Sequence, residues 1–281
     1  MPSGAFYVVA HLVVAALYLL LALRAWRSLQ GEVTGPAPAD WSAFALPVIA
    51  LLHAAVLAAA IFGDGVFRFG FAQALSATLL LAVLIVWAEG FFVPMRGLQL
   101  FVLPLAALSA LLPALFHGVP VAAASDTPAL RVHLLVAISA YSLLTIAAMH
   151  GLLMASMDRH LHGSVGDGGG TFARILREMP PLLAMERVLF RLIGIGFVLL
   201  TATVISGVFF TELLFGRPLR FDHKTVFTIA SWLVFAGLLA GRFVFGWRGR
   251  TALRWTLAGF LMLLLAYVGS RFVVEVILQR V

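Results

Sequence analysis

Two histidines and a short charged loop are the parts of this chain best suited to chemistry. His133 follows Arg131 at the start of one apolar stretch, and His223 starts another, flanked by Asp222 and Lys224. Ionisable groups beside or inside apolar stretches are costly, so each needs a reason. Two neutral imidazoles on one face would make an axial pair for haem iron or part of a divalent-metal site. The alternative is two unrelated histidines at a membrane surface.

The loop before His223 has two compatible interpretations. Asp222 can cap the helix that follows, because a carboxylate accepts hydrogen bonds from the open backbone N–H groups at that positive end. It can also orient a histidine, while Arg220 and Lys224 meet an anionic ligand such as the propionates of haem. His53 lies in the middle of another apolar stretch. We expect it to be either hydrogen-bonded inside the protein or a second, deeper ligand.

Composition indicates which elements must position these residues. Of 281 residues, 63% are hydrophobic and 11% are charged, whereas about a quarter of an ordinary soluble chain is charged. The apolar residues come in runs of roughly 20, the length at which a helix crosses a bilayer. We therefore predict an all-α fold, a polytopic membrane helix bundle of about eight transmembrane helices, in a single domain over 1–281. The predicted helices are 4–24, 43–63, 71–90, 97–117, 131–157, 188–213, 225–243 and 252–278.

The distribution of basic residues predicts the orientation. The first apolar stretch has no basic residue before it and ends at Arg27, so we expect a retained helix with its N-terminus outside. The larger share of the arginines then falls in inner loops, as the positive-inside rule requires. Both termini, His133 and His223 face the outer side. The segment 158–187 is predicted to be a cytoplasmic loop, with a possible surface helix over 171–179.

Several classes of function find no support in the sequence. Cysteine is absent, which excludes thiolate metal sites, disulfides and covalent haem attachment through Cys-x-x-Cys-His. There is no Walker loop, dinucleotide fingerprint or His-Glu-x-x-His motif, and no two carboxylates are placed for acid–base catalysis. We therefore expect a protein that is not an enzyme. The net charge of +7 indicates topology and lipid contact rather than nucleic-acid binding, because the cations sit at helix ends.

A family resemblance covers essentially the whole chain and is clearest from about Arg131 to the C-terminus. Segments 131–144, 185–201 and 246–260 resemble the cytochrome c assembly membrane proteins, the CcsA/CcmC/HemX group, and are most similar to its YpjD-like branch. The loop 215–225 lies where that family has a tryptophan-rich haem motif. Gly216, Asp222 and Lys224 match the motif, Phe215, Leu219 and Phe221 stand at tryptophan positions, and His223 stands at a proline position.

The resemblance implies a haem-handling protein of the bacterial inner membrane that holds haem near the outer face. His133 matches a family histidine that binds haem, and His223 could replace a second one that this chain lacks. The candidate cofactor-binding residues are His133, His223, Asp222, Lys224, Arg220 and His53, with His133 and His223 as ligands of the haem iron. The lipid bilayer and proteins of cytochrome c assembly or haem biosynthesis are the expected partners. Two alternatives are a HemX-like regulator of haem biosynthesis and a transporter of a cation or small solute.

Overall fold

Helices account for almost all of the described chain. The computed structural model describes residues 4–29, 38–63, 65–92, 96–121, 127–162, 181–215 and 223–269. Within these residues, eight helices are long and apolar enough to cross a membrane, which confirms the predicted all-α membrane bundle. They are α1 (Gly4–Leu29), α2 (Pro38–Phe62), α3 (Phe71–Glu89), α4 (Arg96–Leu115), α5 (Pro128–His162), α6 (Leu182–Phe215), α7 (His223–Phe245) and α8 (Gly249–Leu264), which continues as a π-helical turn, Leu265–Gly269.

Four helices extend beyond a predicted end by five residues or more: α1 at its C-terminal end, α2 at its N-terminal end, α5 at its C-terminal end and α6 at its N-terminal end. α5 has 35 residues and α6 has 34, more than the roughly 20 that a bilayer requires. Hydropathy marks the part of a helix that lies in lipid, whereas the backbone hydrogen bonds continue until a helix-breaking residue. The predicted loop 158–187 is therefore helical at both of its ends, and His162 belongs to α5. The possible surface helix at 171–179 lies outside the described residues.

Local signals in the sequence explain where α5 and α8 begin. The Thr127 hydroxyl accepts a hydrogen bond from the Leu130 N–H at 3.2 Å, and Pro128 occupies the first helical position, where its missing N–H is not needed. Gly246 and Gly249 have φ values of +66° and +53°, which favour glycine. They allow α7 to turn back into α8 within three residues.

The bundle consists of two groups of helices joined at its centre. α1 packs along α4, and α2 and α3 complete the first group; α5 packs along α6 and α7 along α8 in the second. α3 and α5 contact each other and join the groups. The main core lies between the helices and includes Tyr18, Leu144, Ile193 and Phe235, all fully buried.

A two-stranded antiparallel sheet closes one end of the bundle. β1 (Arg68–Phe69) precedes α3 and pairs with β2 (Val119–Pro120), which follows α4. Phe67, Phe69 and Ala74 form a small apolar cluster next to it, and Leu134 of α5 packs against this cluster. We call this end, where α3, α5 and α7 begin, the His133 face.

Ion pairs gather at the opposite end, the ion-pair face. The carboxylates come from the ends of α3 and α5 and the start of α6, and most of the guanidinium groups come from α6, α7 and α8. The pairs are Glu89–Arg191, Glu186–Arg242 at 2.7 Å, Glu186–Arg248 at 3.6 Å and Asp158–Arg250 at 3.2 Å. The Glu89–Arg191 pair joins the two helix groups at this end, and the other three pairs connect helices within the second group. That the His133 face points outward stays a prediction.

Candidate functional site

A large apolar pocket opens between the two helix groups, near the His133 face. Its empty volume is about 710 Å³, a figure that includes space open to the surroundings. Five helices (α3, α5, α6, α7 and α8) and β1 contribute to its wall. Residues from distant parts of the sequence therefore meet around one space.

The π-helical turn that ends α8 forms one side of this pocket. Ala266, Tyr267 and Val268, three consecutive residues, all line it. A π-helical turn has more than the usual number of residues per turn, and such turns are frequent at functional sites. The turn is thus part of the wall rather than an irregularity beside it.

His133 lines the pocket from the second turn of α5. The side chain is partly buried, and its Nδ1 lies 2.7 Å from the Ser206 hydroxyl oxygen on α6. A histidine that binds a metal usually has one ring nitrogen held by a hydrogen bond, which orients the ring. The orientation of His133 is therefore set by a contact between α5 and α6.

Lys224 brings a positive charge to the same pocket. It lines the pocket from the first turn of α7, with an exposed side chain. Its ammonium lies 5.3 Å from the centre of the Tyr267 ring, within cation–π distance. The same positive charge is close enough to His133 for a coulombic interaction with its imidazole. An imidazole and an ammonium thus share one pocket.

Three hydroxyl groups in the rest of the wall already donate hydrogen bonds to backbone carbonyls. Tyr141 donates to the Leu263 carbonyl at 3.0 Å. Thr203 and Thr228 donate to carbonyls one turn earlier in their own helices, at 2.8 and 2.7 Å. Because these three protons are already committed and most of the other lining side chains are apolar, the wall suits a hydrophobic ligand with few polar groups.

The structure brings together two of the six predicted site residues. His133 and Lys224 line the pocket, whereas His223, the exposed first residue of α7, does not. The axial pair of His133 and His223 therefore stays a prediction. Arg220 and Asp222 lie outside the described residues.

His53 occupies a different position, among α1, α2 and α3. It is fully buried, with Nδ1 3.3 Å from the Tyr18 hydroxyl and Nε2 2.8 Å from the Ser76 hydroxyl. It does not line the pocket, although Ala74 and Thr78, on another side of α3, do. With a hydroxyl partner at each nitrogen, His53 links three helices, and a ligand role for it stays a prediction.

A metal site made of several side chains gains no support from the described part of the chain. Among these residues, no group of three His, Cys, Asp or Glu side chains is placed to hold a metal ion. A ligand with its own metal, which requires only one or two protein ligands, does not need such a group.

The amino-acid sequence of this chain also matches a known protein family. The family described as cytochrome C assembly protein matches residues 41–278, which include every helix that lines the pocket. The chain belongs to the cytochrome c assembly protein family. This confirms the resemblance seen in the sequence, and the family member described here is a multi-pass membrane protein.

Individual relatives match parts of the chain. Inner membrane protein YpjD of Escherichia coli strain K12 is 38% identical over 151 residues, 54% of each chain. An uncharacterized 28.8 kDa protein of Azospirillum brasilense is 35% identical over 52% of each chain. Cytochrome c biogenesis protein CcsA of Gloeobacter violaceus is 29% identical over 37% of this chain and 31% of its own. The chain thus spans about half the length of the first two of these relatives, and 31% of the length of CcsA. No solved structure matches it.

Several residues of this site were not predicted from the sequence. Ser206 and Thr203 are three residues apart on α6, and Tyr267 lies near the end of α8. Hydroxyl residues at a spacing of three or four inside an apolar helix share one face, which often contacts another helix. That spacing was the available signal for α6, but it does not say which helix the face meets.

Proposed function

We propose that this protein handles haem, held in the pocket near the His133 face by His133 and Lys224. The observation that carries the proposal is that an imidazole and an ammonium line one large apolar pocket. Haem has a matching chemistry, because its iron takes imidazole ligands, its macrocycle is apolar and its propionates pair with cations. The pocket residues fit the group.

Each part of the wall has a role in this proposal. His133 binds the iron, Lys224 pairs with a propionate, and the apolar residues of α5, α6 and α8 cover the macrocycle and exclude water. When bound, haem supplies the iron that the imidazole ligates. Arg220 stays a candidate for the propionate side and Asp222 for orienting a histidine, because both precede Lys224 by only a few residues.

Membership of the family supports a role in cytochrome c assembly. CcsA relatives are named for cytochrome c biogenesis, and YpjD is named as an inner membrane protein. We propose that this chain acts in the bacterial inner membrane as an assembly factor and not as an enzyme, with other assembly proteins as partners. A HemX-like regulator would use the same pocket, so the haem test applies to both.

Titration of the purified protein with haem tests the proposal. We expect a Soret band characteristic of ligated haem in the wild type and its loss in His133→Gln. Lys224→Gln should keep the form of the band and weaken binding by about two- to five-fold, because an exposed ion pair contributes at most about 1 kcal/mol. Absence of the band in the wild type, or an unchanged band in His133→Gln, would refute the proposed site.

The variant His223→Gln distinguishes ligation of the iron by His133 alone from ligation by both His133 and His223. If His133 binds the iron without His223, the variant keeps the wild-type spectrum. If the two form an axial pair, the low-spin bands diminish. His117→Gln is a matched control, because His117 is also an exposed histidine just beyond a helix end at the His133 face, but it does not line the pocket.

A further inference from the structure

The hydroxyl of Ser206 has one proton, and the structure shows where it goes. Ser206 Oγ lies 2.7 Å from the Ala202 carbonyl and 3.2 Å from the Thr203 carbonyl. Carbonyl oxygens only accept hydrogen bonds, so a contact of 2.7 Å requires that the serine donates. If its proton pointed elsewhere, two oxygen lone pairs would face each other at that distance.

The same oxygen lies 2.7 Å from Nδ1 of His133. Because the serine proton is committed to a carbonyl, this second bond forms only if the imidazole donates. Nδ1 of His133 must then carry a hydrogen, and in a neutral imidazole the lone pair must be on Nε2. Free histidine favours the opposite tautomer, with the hydrogen on Nε2.

We infer that Ser206 is a positioning residue that holds His133 in the tautomer with its lone pair on Nε2, the nitrogen that would bind iron. This inference rests on the proposed function for its purpose, but the tautomer itself does not. Ser206 does not line the pocket and acts only through His133. Nδ1 points to α6 while the ring lines the pocket, so the bond sets the rotation of the ring as well as its proton.

Nitrogen-15 NMR of the protein with labelled histidine tests the tautomer without haem. Comparison with His133→Gln identifies the signals of this residue. We expect a protonated Nδ1 and an unprotonated Nε2 in the wild type, and a shift toward the Nε2–H form in Ser206→Ala. Ser206→Thr keeps a hydroxyl and should restore the wild-type pattern. A protonated Nε2 in the neutral wild-type ring would overturn the inference.

Haem titration of the same variants tests the consequence. Loss of a hydrogen bond to a ligating histidine typically weakens metal binding by about 10–100-fold. We expect a loss in that range for Ser206→Ala and recovery in Ser206→Thr. Ser139→Ala is the control, because the Ser139 hydroxyl donates to the Leu135 carbonyl within α5 at 2.8 Å and does not line the pocket.

The two measurements distinguish failure of the inference from failure of the proposed function. If the wild type binds no haem but shows the expected tautomer, the haem proposal fails and the role of Ser206 in setting the tautomer stands. If haem binds equally well to the wild type and Ser206→Ala, the positioning role is wrong while ligation by His133 stands.

Discussion

Replacing Ser76 with alanine removes one hydrogen bond from the link between α1, α2 and α3. Ser76 Oγ lies 2.8 Å from Nε2 of His53, and both side chains are fully buried. In the variant the imidazole keeps its contact with Tyr18 at 3.3 Å. Its Nε2 loses the hydroxyl partner in a place that water does not reach.

The size of the effect follows from this geometry. Side-chain hydrogen bonds between membrane helices contribute about 0.6 kcal/mol on average and about 1.7 kcal/mol at most. A buried polar group left unpaired costs about 1–3 kcal/mol. We expect Ser76→Ala to lower the free energy of unfolding by about 1–2 kcal/mol. Tyr18→Phe should lower it by about 0.5–1 kcal/mol, because its contact with His53 is longer.

Unfolding in mixed detergent micelles, titrated with SDS and followed by circular dichroism, measures these changes. Ser109→Ala is the matched control. Ser109 is also buried, but its hydroxyl donates to the Ala106 carbonyl within α4 at 2.9 Å. Its removal should cost less than about 0.5 kcal/mol, because bonds of this kind stabilise a helix little. Equal losses for Ser76→Ala and Ser109→Ala would refute the reasoning.

The same variants also test whether His53 acts as a ligand. In a His53→Ala background, Ser76→Ala should cost less than about 0.5 kcal/mol, because its partner is gone. If His53 only links helices, Ser76→Ala leaves the haem spectrum unchanged. A changed spectrum would instead support the sequence-based prediction of a deeper ligand.

Two further substitutions test the packing of α7 and α8 and the ion-pair face. Gly259→Ala would place a Cβ 2.9 Å from two ring atoms of the fully buried Phe235, and thermal unfolding should show a loss of about 1–3 kcal/mol. Glu186→Gln leaves the partly buried Arg242 without the carboxylate at 2.7 Å, and SDS unfolding should show a loss of about 1–2 kcal/mol.

Each of these has its own control. A Cβ at Gly194 meets nothing within 4 Å, so Gly194→Ala should be neutral or stabilising by up to about 1 kcal/mol. If it destabilises as much as Gly259→Ala, the steric argument is wrong. Asp158→Asn removes a pair whose partner, Arg250, has a side chain 73% exposed, so it should cost less than about 1 kcal/mol and respond to salt. A larger loss than for Glu186→Gln would contradict the ranking by burial.

Much of the fold could be predicted from the sequence because lipid imposes a strict rule. A backbone inside a bilayer must satisfy its own hydrogen bonds, so apolar runs of sufficient length become helices. The number of helices and most of their positions followed from this rule. The full lengths of α1, α2, α5 and α6 did not, because hydropathy reports the lipid boundary and not the end of the hydrogen-bonded ladder.

The candidate site was predicted in part. The choice of His133 and Lys224 as site residues came from the sequence, and both line the pocket. The partners Ser206 and Tyr267 were missed, because the contacts between α5 and α6 and between α7 and the π-helical turn cannot be read from a single chain. Hydropathy is no guide here, since the residues that face lipid and those that face the core are both apolar.

The neighbours His223 and Lys224 illustrate the division between sequence and tertiary structure. The sequence by itself placed both within two residues of the start of a membrane helix, predicted at 225–243, because an apolar run of sufficient length follows them. Consecutive residues on an α-helix point about 100° apart, since 3.6 residues complete a turn. Which of the two reaches the pocket therefore depends on how α7 is rotated against its neighbours. The rotation of α7 is set by the packing of the helices, which places Lys224, and not His223, in the pocket with His133.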